Sequence, residues 1–299
     1  MTPPTDTTFA RRHNLAGSLY MVFAMAAFAL EDAFVKAAAG RLPTSEVLLL
    51  LGSGGMLVFC VAAALRDEKI FVRDALSRIM RVRFVFETAA RLFYVLALAL
   101  TPLSAATAIL QATPIVVVLG AATFFKERVG WLRWTAIAIG LIGVLIVLRP
   151  AAQSFSALSI FAVLGMLGFA ARDLASRASP AALGSAVLGF YGYLAIVAAG
   201  IVYAPIEARA FIVPDGASGL ALLAAIVCGT VAYTALMKAM RTGELSVVTP
   251  FRYTRLVFGL ALGVFAFRES LDPPMIIGSI VVVLAGLFTL WTGRARPSR

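Results

Sequence analysis

Charge is scarce in this chain: only 14% of its 299 residues are Asp, Glu, Lys or Arg, against about 25% in soluble domains. There is one histidine, His13, in a polar N-terminal stretch, and there are two cysteines, Cys60 and Cys228, both inside apolar runs. One histidine and two isolated thiols supply no metal-ligand set and no disulfide framework, so the sequence predicts no metal and no cofactor. No G-x-x-x-x-G-K-[ST] loop is present, which argues against nucleotide hydrolysis. No H-E-x-x-H occurs and no histidine lies within an apolar run, which disfavours a metalloprotease or an intramembrane serine protease. Acids are short too, 15 against 26 bases, giving a net charge of +11. Such an excess can mark a nucleic-acid partner. Here the bases cluster in short connections between apolar runs, where they set membrane topology instead.

Hydrophobic residues are abundant: 61% of the chain, with a mean hydropathy of +0.95. The composition predicts an all-α integral membrane protein. A hydrocarbon core of about 30 Å needs about 20 helical residues. Runs of that kind fall near 15–38, 45–65, 83–101, 103–125, 131–149, 157–178, 182–204, 218–240, 245–267 and 273–292. They leave tails at 1–14 and 293–299. Arg11 and Arg12 ahead of an apolar run would suit a signal peptide, but that run carries Glu31 and Asp32 and has a later copy of itself. One side of the expected bundle collects Arg11, Arg12, Arg66, Lys69, Arg73, Arg78, Arg81 and Arg83, with Lys126, Arg128, Arg133, Arg241, Arg294, Arg296 and Arg299. The other has Arg41, Arg149, Arg209 and Arg268. The bias places both termini in the cytoplasm. The longest connection, 66–83, reads either as an amphipathic surface helix or as a solvated basic loop.

The chain repeats itself. "SAATAILQATPIVVVLGAATFFKERVG" (104–130) lies over "SVVTPFRYTRLVFGLALGVFAFRESLD" (246–272) without a gap, setting Ser104 on Ser246, Thr107 on Thr249 and Lys126–Glu127 on Arg268–Glu269. "FALEDAFVK" (28–36) likewise matches "FAARDLASR" (169–177). Each unit has five spans, 15–149 and 157–292, and an odd number inverts the second unit in the membrane. Inverted repeats are a signature of secondary transporters, with the substrate site near the midplane between the halves.

On these residues the chain resembles the drug/metabolite transporter superfamily, in its ten-helix EamA-type branch. Pro114 in the fourth span, the run to "FFKERVG" and the glycine-rich "IAIGLIGVLIVL" carry the likeness, and recur in part at "FAFRESLDPPMIIGSIVVVLAG". The second copy departs from the first: Leu256 stands where Pro114 would fall, and Pro250 comes earlier, so a helix break in the ninth span is not implied. Within the branch the chain looks like the YddG-type exporters of amino acids, on overall likeness rather than on a motif.

Buried charges are costly in lipid, so those inside the spans need a reason. Asp32 and Lys36, Glu87 and Arg91, and Asp173 and Arg177 are each four apart, acid first, a spacing that suits neutralisation within a helix; Asp32–Lys36 and Asp173–Arg177 also read as gates at opposite ends of an inverted pair. Lys36 and Arg177 lie near span ends and can reach the interface. Glu31 and Arg172 hold matching repeat positions with opposite sign, at depths that make a direct bridge unfavourable, and are expected to face a central aqueous cavity. Arg252 and Arg255, three apart in the ninth span, have no acid on their own helix. They either pair with Glu87 or Glu31 or recognise a carboxylate. Gln111, Tyr94, Tyr233, Phe28 and Phe169 read either as packing or as walls of the same cavity. "GSGG" (52–55), Gly140/Gly143 and Gly259/Gly263 are expected to let helices approach closely.

These residues predict a secondary transporter exporting amino acids, aromatic or other neutral ones, across the plasma membrane by alternating access. Arg91, Arg252 and Arg255 would take the carboxylate and Glu31 the amine. The same features leave open a multidrug or anionic-metabolite carrier and, further off, a lipid-modifying membrane enzyme using Glu31 or Glu87. The expected partners are a small-molecule solute and membrane lipid. One chain supplies both repeats, so a monomer suffices. Coupling to protons through Asp32 or Glu87, and uncoupled transport, are both compatible with the sequence.

Overall fold

The computed structural model describes residues 5–124, 130–148, 157–177, 183–242 and 248–294. The described residues are helical, without a strand. The helices are α1 (Thr5–Ala39), α2 (Thr44–Ala64), α3 (Arg78–Leu100), α4 (Leu103–Leu110), α5 (Thr113–Phe124), α6 (Trp131–Leu148), α7 (Ile160–Arg177), α8 (Ser185–Glu207), α9 (Gly216–Thr242), α10 (Thr254–Phe267) and α11 (Pro273–Arg294). Helices α4 and α5 together form the fourth span. Among the described residues, six segments are long and apolar enough to cross a membrane, and parts of α6 and α11 are shorter apolar helices. Helix α1 starts at Thr5, inside the expected tail.

The two repeats interleave. The principal partner of α1 is α9, of α2 is α8, of α3 is α7, of α4 is α10 and of α6 is α11, each from the other repeat. Small residues set these close crossings, because helices in lipid associate by packing rather than by apolar burial. A Cβ on Gly52 would strike Val197, one on Gly143 would strike Val281 and Val282, and one on Gly259 would strike Thr107, as the glycine pattern predicts. Gly165 and Gly168 of α7 do the same against the backbone of Tyr94 and Ala90 on α3. Outward surfaces carry large apolar side chains such as Leu57, Val85, Ile201 and Phe265, as a lipid-facing exterior requires.

The 66–83 connection is not an amphipathic helix. It is irregular apart from a short 3-10 turn at Arg73–Leu76, and α3 begins at Arg78 behind a Ser77 cap.

Both half-broken spans have a physical cause. Pro114 has no N–H to give to the Leu110 carbonyl. The Thr113 hydroxyl donates to that carbonyl instead, at 2.5 Å, and the helix is interrupted between α4 and α5. In the second repeat a 3-10 segment, Thr249–Tyr253 with Pro250 in its first turn, gives way to α10 at Thr254. By the spacing that sets Ser104 on Ser246, Gln111 falls on Tyr253, so the ninth span changes geometry at the matching point without a matching proline. The Gln111 amide ties the two irregularities together by donating to the Arg252 carbonyl at 3.2 Å.

Candidate functional site

The charged residues of the spans converge where α1, α3, α7 and α10 meet, with α9 behind them. Asp32 on α1 accepts two hydrogen bonds from Arg255 on α10, from Nη2 at 2.6 Å and Nε at 3.2 Å, and a third from the Tyr94 hydroxyl on α3 at 3.0 Å. Glu87 on α3 accepts from Arg172 on α7 at 3.2 Å and lies 3.4 Å from Arg83 one turn earlier. Arg172 also donates to its neighbour Asp173, at 2.8 and 3.0 Å. Glu31 faces Arg91 across a longer gap of 3.9 Å.

These contacts correct the expected pairing within helices. Asp32 does not serve Lys36. The Lys36 ammonium donates instead to the Leu98 and Thr101 carbonyls at 3.0 and 2.5 Å, filling acceptors that the end of α3 leaves open, and it lies over the Phe267 ring. Glu87 pairs with Arg83 and Arg172, and Arg91 turns to Glu31. Asp173 is engaged by Arg172; the side chain of Arg177 lies outside the described residues. Nor does Arg255 pair with Glu87 or Glu31: its partner is Asp32. Asp32 and Arg91 take partners from other helices, and Glu87 adds Arg172 from the other repeat to its same-helix cation Arg83. Glu31 and Arg172 form no bridge with each other, in keeping with their expected separation in depth.

Aromatic rings join the charges into one cluster. Phe169 on α7 has the Arg172 guanidinium at 4.8 Å and that of Arg91 at 5.7 Å from its centroid. The Tyr94 ring meets Phe169 edge-on at 5.9 Å. Arg255 lies 5.1 Å from the centre of Phe28 and 5.7 Å from that of Tyr94. The acids are the more deeply buried partners: the side chains of Glu31, Asp32 and Glu87 are 4–5% exposed, those of Arg91, Arg172 and Arg255 16–19%. Each of these guanidinium groups thus has a buried counter-charge, as a cation held inside a membrane span requires.

Tyr233 on α9 borders the Arg83–Glu87–Arg172 side of the cluster and packs edge-on against Phe59, 5.4 Å between centroids. Gln111 is committed to the Arg252 carbonyl, and the half-buried Arg252 side chain has no ion pair among the described residues. A cleft of about 400 Å³ opens between α3 and α8, lined by Ala75, Met80, Arg83, Phe84, Glu87 and Tyr191 among others. It reaches the Glu87 side of the cluster, and neither Arg252 nor Arg255 lines it.

Sequence reasoning missed Arg83 as the second cation on Glu87, although its i,i+4 spacing was visible. It also missed Tyr193 and Gly229: a Cβ on Gly229 would run into both the Tyr193 hydroxyl and the Glu31 carboxylate. Gly229 stands at the repeat position of Glu87, so the void that admits Glu31 is the image of the acid that meets Arg172.

The EamA-like transporter family matches this chain twice, over residues 15–149 and 157–291. Among similar proteins, a pseudopaline exporter, CntI, of Pseudomonas aeruginosa is 29% identical over 274 residues, covering 90% of this chain and 94% of its own. An S-adenosylmethionine uptake transporter of Rickettsia felis is 25% identical over 202 residues, 68% of each chain. A riboflavin transporter of Vibrio cholerae is 25% identical over 295 residues, 97% of this chain and 98% of its own. A solved crystal structure with a TM-score of 0.62 at 18% identity covers 96% of this chain and 99% of its own, which shows a shared fold. The two matches coincide with the two inverted units: the chain is a multi-pass membrane transporter and belongs to the EamA-like transporter family, in the drug/metabolite transporter superfamily.

Proposed function

We propose that this transporter exports amino acids or closely related zwitterions across the plasma membrane by alternating access, with both termini in the cytoplasm. The observation that carries the reading is the Arg91–Glu31 pair. It is the loosest ion pair in the cluster, at 3.9 Å, and the Arg91 Nε is buried without a hydrogen-bond partner among the described residues. A zwitterion inserting there gives its carboxylate to Arg91 and its amine to Glu31, so both protein charges stay compensated. Asp32–Arg255 and Glu87–Arg172 are already joined by hydrogen bonds, at 2.6 and 3.2 Å, and act as the frame of the site. Phe28, Tyr94 and Phe169 supply apolar and ring surface for the rest of the solute, which favours aromatic and other large neutral side chains.

A second reading, an anionic metabolite, is favoured by Arg252, whose charge has no ion pair among the described residues. The relatives' names, covering pseudopaline, S-adenosylmethionine and riboflavin, span both readings. None of the three is named as an enzyme, in line with a non-enzymatic role.

The test is efflux from proteoliposomes loaded in turn with labelled neutral amino acids, organic anions and cationic drugs, with and without a pH gradient. The reading expects protein-dependent efflux of amino acids. Efflux of organic anions alone transfers the assignment to the second reading, and movement of neither class refutes both.

A further inference from the structure

On the face where α1 ends, two glutamates reach across the repeat boundary to the start of a helix. Glu207, the last residue of α8, accepts from the Thr44 and Ser45 amides at 2.7 and 2.8 Å and from the Ser45 hydroxyl at 2.6 Å. Glu269, just after α10, accepts from the Leu103 and Ser104 amides at 2.6 and 3.0 Å and from the Ser104 hydroxyl at 2.6 Å. The two arrangements share their chemistry. Helices α2 and α4 begin Pro-x-Ser, after Pro43 and Pro102, and neither proline offers a capping side chain. The first amides of a helix have no internal partner, and a carboxylate suits them. Each glutamate is held beside a residue of left-handed conformation, Ala208 (φ 49°) or Arg268 (φ 54°), which turns the chain back over the partner helix.

The opposite face shows a counterpart that is not engaged. Glu68 follows Asp67, which is also left-handed (φ 53°), at the end of α2. Its carboxylate lies where a Cβ on Gly184 would collide with it, directly ahead of α8, yet its buried Oε2 has no hydrogen-bond partner among the described residues. Because α2 and α8 are repeat mates, Glu68 against α8 is the inverted image of Glu207 against α2.

We propose, resting on the alternating-access reading, that Glu207 and Glu269 are latches that hold the α1-end face shut, and that they release when Glu68 engages the first amides of α8. Closing one face then uses the same carboxylate-to-helix-start contact that opening the other breaks. These residues position the repeats and do not touch solute.

Full-length protein in lipid nanodiscs tests this, with both native cysteines replaced by alanine and spin labels at Pro102 and Phe211, exposed positions on the latched face from different repeats. Pulsed electron resonance reads the distance between the labels. Glu207→Gln and Glu269→Gln together are expected to add a longer population, shifted by several ångströms; Glu68→Gln, which breaks no described bond in this state, is expected to add none. An unchanged distribution in the monodisperse double variant overturns the proposal, as does an equal shift from Glu68→Gln. If the double variant does not fold, Ser45→Ala with Ser104→Ala removes one bond from each latch and is read the same way. No solute is needed, so a shift without amino-acid efflux refutes only the solute assignment, and efflux without a shift refutes only the latches.

Discussion

Helices α1 and α7 occupy equivalent places in the two repeats, yet one presents Glu31–Asp32 and the other Arg172–Asp173. The aspartates shared by the two repeats have different fates. Asp32 is 5% exposed and carries Arg255 and Tyr94, which come from two other helices. Asp173 is 26% exposed and serves only the residue beside it among the described contacts. The variable position differs more: Glu31 enters the void above Gly229, while Arg172 meets Glu87 at the repeat position of that void. The backbone is symmetric enough to build an inverted pair, and the charge is asymmetric enough to give the site an acid on one side and bases on the other. On the proposed function, a solute with separated charges is oriented by that asymmetry; a purely symmetric lining would not orient it.

The largest expected difference is between the aspartates. Asp32→Ala strands a buried guanidinium and is expected to destabilise the protein by about 3–5 kcal/mol. Asp173→Ala leaves Arg172 on Glu87 and is expected to cost below about 1 kcal/mol. Thermal unfolding in detergent compares them, and equal losses would erase the distinction between the repeats. Next come Glu31→Gln and Arg91→Gln. Each is expected to lower transport by about tenfold or more, with a smaller loss of stability than Asp32→Ala because the pair is longer, at 3.9 Å. The double variant is expected to be little worse than either single one, because the two residues act as one pair. Gly229→Ala is a subtler probe. The added methyl meets Glu31 and Tyr193, so about 1–3 kcal/mol of overpacking is expected, together with slower transport; a silent Gly229→Ala would mean that Glu31 has room to spare.

The smallest effect concerns the surface tie between Arg41 and Asp215, 3.0 Å long with both partners more than half exposed. Hydrogen bonds from Ser218, and then Arg41, hold the Asp215 carboxyl below the usual aspartate range. A depressed pKa means that the tie's contribution is present above the unfolded value of about 3.9 and is lost only as pH falls through the lower folded value. Lowering the pH from about 7 to about 5 is therefore expected to leave the effect of Arg41→Ala unchanged, with no measurable shift in Tm at either pH.

Much of this architecture was legible in the residues. Apolar runs, basic connections and the "SAATAILQ"/"SVVTPFRY" overlay specify five spans twice, because lipid imposes length and helical backbone directly on sequence. Most members of the charge cluster were legible too, since each is an ion in a segment that should hold none; Arg83, counted with the basic connection, was not. Their partners were not. Spacing along one helix points Asp32 at Lys36, but the interleaving of α1 with α10 brings Arg255 closer, and nothing local to residues 28–36 encodes that. The change of geometry at Tyr253 was hidden for the opposite reason: its first-repeat counterpart is produced by Pro114, and the second repeat reaches the same place with a 3-10 segment. Glu269 could be read as the repeat mate of Glu127, and Ser104 as that of Ser246, but their contact with each other required the fold.

The central claim is that Arg91, facing Glu31, binds the carboxylate of an amino-acid-like solute. Counterflow of a labelled neutral amino acid in proteoliposomes tests it most directly, with unlabelled free amino acid, its methyl ester and its decarboxylated amine as competitors. The account predicts that only the free amino acid competes and that Arg91→Gln abolishes this preference. Equal competition by the ester and the amine in the unaltered protein would contradict it.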